Sequence, residues 1–175
     1  MRERRWDILN DLIAKYNYHR IAEIGVYKSQ MMERILKHPD AKCISQYWAI
    51  DTWRQYDSGD TTKRQQWQHD SYYINACILM VRHPAIRILR MDSVEASKLF
   101  YDQYFDMVFI DCDHRYENVK ADIYAWIPKV LTGGGILSGH DYTHKKHTGV
   151  KLAVDEIFGE NNIKLLGGNV WVKPL

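Results

Sequence analysis

Cysteine is scarce in this chain: Cys43, Cys77 and Cys112 are the three among 175 residues. They are odd in number, far apart and in no metal or redox spacing. That excludes a disulfide framework and fits free thiols in a reducing cytoplasm. Long apolar runs are missing too. The stretch 105–110 is interrupted by Asp106, far short of the roughly 20 residues that a membrane helix needs. The basic opening of residues 1–6 leads into no apolar segment, so no signal peptide is expected. Charge nearly cancels, with 24 Lys plus Arg against 22 Asp plus Glu and a net of +2. Neither a nucleic-acid footprint nor a polybasic membrane segment follows from that balance. No Gly-x-Gly-x-x-Gly run occurs, which counts against NAD or FAD.

What the chain does have is 46% hydrophobic and 13% aromatic content, enough for a packed core and too much for a disordered chain. Its length suits a single domain spanning 1–175. Trp6, Leu9, Ile13 and Tyr16 share one face of an opening helix. A buried strand over 21–25 ends at a glycine, and Met31, Met32, Ile35 and Leu36 mark a helix that His38-Pro39 stops. Further strands are expected over 47–51, 86–91, 105–111 and 136–138. A polar loop from 54 leads into a helix reaching Val81, and Val119, Ile123, Trp126, Ile127 and Val130 form another helical face. A helix over 150–158 and two closing strands near 163–165 and 169–172 complete the chain. Strand–helix alternation predicts an α/β fold with a doubly wound, mostly parallel, seven-stranded sheet. The last two strands have no helix between them and predict an antiparallel C-terminal edge hairpin.

In such sheets ligands bind beyond the carboxyl ends of the strands. Acids collect at those ends here: Glu23 before Gly25, then Asp51, Asp92-Ser93, Asp111-Cys112-Asp113-His114, and His140-Asp141. Buried strands do not carry carboxylates there unless something pairs with them. Each has a plainer reading as well. Gly25 alone is an ordinary turn glycine, and Asp92-Ser93 is a helix-capping pair. Asp51 is either a loop acid or, 26 residues beyond Gly25, the acid that takes ribose hydroxyls in dinucleotide-type folds, where the spacing is about 20.

The motifs Ala22-Glu23-Ile24-Gly25-Val26-Tyr27-Lys28-Ser29 and Ala49-Ile50-Asp51-Thr52-Trp53 come first in a longer pattern. Residues 105–116 and 133–142 follow, carrying Asp111-x-Asp113-His114-x-Tyr116 and Gly139-His140-Asp141-Tyr142. In this order the chain resembles the class I S-adenosylmethionine-dependent methyltransferases over nearly its whole length. The small single-domain branch related to macrolide-sugar O-methyltransferases is the nearest in pattern, with catechol O-methyltransferase more distant. The resemblance implies a Rossmann-like methyltransferase fold with S-adenosylmethionine as cofactor. Glu23 would hold its methionine end, and Gly25 would let the backbone approach. Asp51 would accept both ribose hydroxyls and Asp92 the adenine amine, with Val26, Tyr27, Thr52, Trp53, Ser93 and Asp111 around them. Ser29 stands where the family has a second glycine, and is expected to cap the helix after it.

The resemblance also makes His114, with Asp111, the catalytic pair, His114 taking a hydroxyl proton as the acceptor oxygen attacks. Metal-dependent relatives hold Mg²⁺ at positions that are Asp111, His140 and Asp141 here. Magnesium prefers oxygen donors, so His140 either shifts the choice toward Mn²⁺, Fe²⁺ or Zn²⁺ or means no catalytic metal. Asp113 offers a replacement oxygen. His144-Lys145-Lys146-His147 reads as an exposed loop, or as a basic rim for an acidic acceptor. Trp53, Tyr56, Trp67, Tyr72 and Tyr73 suggest an aromatic lid over a small or carbohydrate-like hydroxyl compound. The short stretch before the first strand leaves little room for a substrate domain, so loops or a homodimer partner must complete the site. Two alternatives stay open: a metal-dependent phosphoester hydrolase built on Asp111, Asp113, His114, His140 and Asp141, and a non-catalytic cofactor-binding subunit.

Overall fold

The computed structural model describes residues 4–55 and 64–175. Its centre is a sheet of β1 (Arg20–Ile24), β2 (Gln46–Asp51), β3 (Ile86–Arg90), β4 (Met107–Ile110), β5 (Ile136–Gly139), β6 (Lys164–Leu165) and β7 (Trp171–Pro174). They lie in the order β3-β2-β1-β4-β5-β7-β6. The first five pair in parallel, and β7 runs antiparallel to both β5 and β6. The doubly wound sheet and its closing hairpin match the expected fold. Within the hairpin it is the second strand that joins the sheet. Trp171 and Val172 of β7 are buried whereas both residues of β6 are exposed, so the apolar strand takes the inner place.

Among the described residues six α-helices flank the sheet: α1 (Arg5–Tyr16), α2 (Gln30–Leu36), α3 (Gln66–Arg82), α4 (Ser93–Ser97), α5 (Tyr116–Trp126) and α6 (Thr148–Phe158). Side chains alternate across a strand, so neighbouring residues of β1 serve different layers. Ile21 packs with Leu9, Ile13, Met32 and Ile35 of α1 and α2. Ala22 and Ile24 pack with Trp126 and Ala153 of α5 and α6. Strands buried on both faces read as continuous apolar runs, as β4 does. The Trp126 indole is fully buried and its Nε1–H donates to Ser93 Oγ at 2.8 Å, tying α5 to the start of α4.

β1 lies between β2 and β4, where the winding reverses, and this switch point opens a crevice at the strands' carboxyl ends. Passage there is tight. Gly25 has φ +91°, and a Cβ on it would lie 2.4 Å from the Asp111 carbonyl oxygen. The glycine is required by the loop after β4 pressing against it, whatever a ligand adds. Ser29 departs from expectation. It precedes α2 but makes no capping hydrogen bond, and its buried Oγ has no hydrogen-bond partner among the described residues. A capping side chain aims at the helix amides from extended backbone, whereas Ser29 has φ 63° and sits in the left-handed region.

Replacing Gly25 by Ala should therefore cost upwards of about 2 kcal/mol, from the backbone clash and the positive φ together. Ser29→Gly should instead raise stability by about 1 kcal/mol, by relieving the left-handed strain. Urea unfolding midpoints measure both, and a lower midpoint for Ser29→Gly would contradict this account of the loop.

Candidate functional site

Glu23 lies on β1, almost wholly buried, and the Tyr47 hydroxyl of β2 donates to its Oε2 at 2.7 Å. Burial pushes the Glu23 carboxyl up to about 8. The Tyr47 hydrogen bond and the positive charge of Arg5 oppose that rise, while Asp111 and Asp51 add to it. Arg5 is the first residue of α1, and its Nη1 lies 3.0 Å from Asp111 Oδ2. Its Nε is buried and makes no hydrogen bond to the described residues. Neither Arg5 nor Tyr47 was flagged by the sequence: both are joined to the acids only through the fold.

Asp51 ends β2 and gathers three backbone amides. Its Oδ2 accepts from Val26 at 2.9 Å and Tyr27 at 2.8 Å, and its Oδ1 from Trp53 at 2.7 Å. The loop after β1 is thus clamped to the end of β2. Thr52 follows, its Oγ1 accepting from the Arg54 amide at 3.3 Å. The Trp53 ring is fully buried, its Nε1–H donating to the Tyr27 carbonyl at 3.0 Å and its face tilted against Tyr73. It therefore belongs to the core and not to an open lid. Tyr27 is exposed and meets Tyr72 edge-on, and Trp67 is 69% exposed. Tyr56 falls outside the described residues. Asp92 takes its plainer role as well: Oδ1 caps α4 by accepting from Val94 at 2.9 Å and Glu95 at 3.2 Å. Oδ2 is the oxygen it can present beyond β3.

Past β4 and β5 the polar side chains converge. His140 Nδ1 lies 3.0 Å from Asp141 Oδ1 and 3.7 Å from Asp111 Oδ1. His114 Nε2 lies 2.9 Å from Asp141 Oδ2 and 4.0 Å from Asp111 Oδ1. Both nitrogens are buried, and among the described residues neither has a well-angled hydrogen bond, although each lies close enough to Asp141 for the charges to pair. Burial raises the Asp111 carboxyl above its usual range, against Arg5 and His140. Burial also works against the charge on Asp141, but the two imidazoles beside it prevail and hold it well below that range. His114 moves the other way: burial resists its charge, yet Asp141 and Asp111 raise its pKa.

Asp113 does not turn into the cluster. Its oxygens accept from the Arg115 side chain and backbone and from Asn118 Nδ2, so it anchors the start of α5. The 144–147 loop is more than a solvated turn. The His147 ring stands 3.9 Å from His114 and 4.3 Å from His144, centroid to centroid. The signal was the recurrence of histidine after His140, which a composition-based reading treats as surface charge.

Asp111, His140 and Asp141 each place one donor atom within 4.8 Å of the others. Two carboxylate oxygens and an unpaired buried imidazole nitrogen suit a divalent cation. For an organic cation, the crevice offers Glu23 and Asp111 as acidic walls, with Asp51 beside them holding the loop that would form its floor.

The Glu23 shift carries a pH signature. With its folded pKa raised from 4.5 to about 8, the folded state binds more protons than the unfolded state between those values. Stability is therefore full below the unfolded pKa and falls as pH rises through about 8. Denaturant unfolding from pH 5 to 9 should show that decline, and Glu23→Gln should flatten it by keeping a neutral side chain. An equally steep decline in Glu23→Gln would assign the slope to another group.

A family model described as "Methyltransferase domain" matches residues 22–142. The protein y4gI of Sinorhizobium fredii, described as uncharacterized, is 28% identical over 104 residues, which is 57% of this chain. The chain spans about a tenth (10%) of that relative's length. Among solved structures, cofactor-bound Rv0187 from MTB superposes with a TM-score of 0.69 at 13% identity, covering 96% of this chain and 78% of that one. CalS11, a TDP-rhamnose 3'-O-methyltransferase of calicheamicin biosynthesis, gives 0.61 at 16% identity, covering 97% and 76%. At such identities these two likenesses speak for the fold, and the family match spans both acid-bearing halves of the crevice. The chain belongs to the methyltransferase-domain family.

Proposed function

We propose that the protein methylates a hydroxyl oxygen of a small or carbohydrate-like acceptor, with S-adenosylmethionine as donor. The observation that carries this reading is the clamp of Asp51 on the Val26 and Tyr27 amides. It sets an acid and a backbone loop side by side at the switch point, next to buried Glu23, inside the segment that matches the family. In this reading Glu23 holds the ammonium of the cofactor's methionine end, over Gly25. Asp51 takes the ribose hydroxyls, with Val26, Tyr27, Thr52 and the backbone of Trp53 around it. Asp92 Oδ2 and Ser93 border the adenine. The sulfonium supplies an electrophilic methyl group and leaves as a neutral thioether.

The chain's own contribution is alignment and a base. Asp141 stands at His114 Nε2, so Nδ1 is the nitrogen that faces the acceptor. The acceptor oxygen forms the new bond to the methyl carbon, the carbon–sulfur pair stays on sulfur, and the hydroxyl proton passes to His114. Asp111, His140 and Asp141 would hold a divalent ion that steers the acceptor oxygen. A phosphoester hydrolase on the same cluster is less well supported, because Asp113 is committed to Arg115. A cytoplasmic setting agrees with the free thiols, and among the described residues no helix is long and apolar enough to cross a membrane. A homodimer completing the acceptor side belongs to the same proposal.

Calorimetric titration of S-adenosylmethionine and S-adenosylhomocysteine into wild type and Asp51→Ala tests the cofactor site. Micromolar binding that the substitution removes supports it, and no binding to wild type sinks it. With an acceptor in hand, His114→Ala should lower turnover by roughly 10²–10⁴-fold, the usual worth of a positioned base, while cofactor affinity stays put. Unchanged turnover would remove His114 from the chemistry.

A further inference from the structure

Beside the Asp111/His140/Asp141 triad stands a second one that shares its middle carboxylate. We infer that His114, Asp141 and His147 bind a divalent transition-metal ion of the zinc and cobalt class, at a site joined to the first triad through Asp141. One donor atom from each of the three lies within 4.8 Å of the other two, a spacing that small side-chain adjustments close around an ion with bonds of about 2.0–2.1 Å. His114 Nε2 is buried and lies 2.9 Å from Asp141 Oδ2 without a properly directed hydrogen bond. A buried imidazole nitrogen this close to a carboxylate oxygen, off the angle of a good hydrogen bond, is placed as a metal ligand is.

The backbone supports the same reading. Asp141 is a non-glycine residue at φ 60°, a conformation that costs about 1–3 kcal/mol and persists only where the surroundings enforce it. Its result is that Oδ1 faces His140 at 3.0 Å and Oδ2 faces His114 at 2.9 Å, one oxygen for each triad. His147 precedes α6, and its ring lies against that of His114. The packing that brings it there depends on Gly149. A Cβ on that residue would come within 2.4 Å of the His114 carbonyl oxygen, so only glycine lets the first turn of α6 seat against the His114 loop.

Donor chemistry sets the ion. Two imidazoles and one carboxylate favour zinc or cobalt, whereas magnesium asks for oxygen donors and keeps its waters. The ion would have a consequence for transfer, and that consequence alone rests on His114 being the base. An imidazole bound through Nε2 keeps its remaining proton on Nδ1, so it cannot accept one from the acceptor. Transition-metal loading and base catalysis exclude each other at this residue.

Titration of the full chain with Co²⁺, followed by its visible absorption, and with Zn²⁺ against a chromogenic chelator, counts the sites without any need for turnover. Two equivalents are expected for wild type, with excess Mg²⁺ unable to displace the second. His147→Ala and the gentler His147→Asn should each retain one equivalent and weaken the other by at least about 100-fold. Circular dichroism and the retained equivalent show that the variants are folded. Asp111→Asn should lose the other equivalent, and Asp141→Asn both. One wild-type equivalent that His147→Ala leaves unchanged, one that both His147→Ala and Asp111→Asn weaken, or none at all overturns the second site. A single equivalent lost in His147→Ala but untouched by Asp111→Asn supports the inference and removes the metal from the first triad instead.

Discussion

The carboxylate of Asp51 is the joint on which the crevice depends. A strand end and the loop from the neighbouring strand have no ladder to hold them together, and their amides must find acceptors or water. Asp51 accepts from Val26, Tyr27 and Trp53 at once, and charge-assisted bonds of this kind are roughly twice as strong as neutral ones. The clamp fixes the unusual course of the loop, in which Gly25, Tyr27 and Ser29 all have positive φ. It also holds the Gly25 backbone against Asp111 across the switch point. Ligand-binding geometry at the top of the sheet follows from that brace.

Charge sets the second constraint. Glu23 and Asp111 are acids held in a low-dielectric place, where leaving a charge unpaired is costly. Arg5 reaches in from α1 and meets Asp111 directly, and its field also moderates Glu23. Any cationic ligand that enters the crevice therefore meets a site already partly neutralised by the protein's own first helix. Its binding has to rearrange protons, or Arg5, or both. α1 is then part of the site's electrostatics as well as a cover for the sheet.

Around Asp141 the polar side chains reverse the usual relation between burial and partners. Buried polar atoms normally find well-directed hydrogen bonds, yet among the described residues His114 Nε2 and His140 Nδ1 have none of good angle, although carboxylate oxygens stand within ion-pair distance. The loop that carries Asp141 is strained, and α6 presses against the His114 segment through Gly149. The cluster is held from outside by packing, and within it the charges of Asp141 and the two imidazoles pair without well-angled hydrogen bonds.

Much of this was legible in the residue order. The central strands are apolar runs because both of their faces are covered, and alternation with helical periodicity specifies a doubly wound sheet by the geometry of the crossover. The acids at the strand ends stand out because a buried strand has no other use for them. Local signals also named the Asp92 cap correctly. They failed where a residue's role depends on a neighbour far along the chain. The Trp53 ring turns into the core to pack on Tyr73, and Asp113 is captured by Arg115. Ser29 fails as a cap because its backbone is left-handed. Arg5, Tyr47 and His147 acquire their roles only when α1, β2 and the turn before α6 are brought against Glu23, Asp111 and His114. The sequence by itself thus determined the sheet, its winding and the acids at its ends, because these follow from short-range periodicity. Which charges and nitrogens meet across the crevice was decided by tertiary structure, because packing of whole elements sets those distances and no local pattern records them.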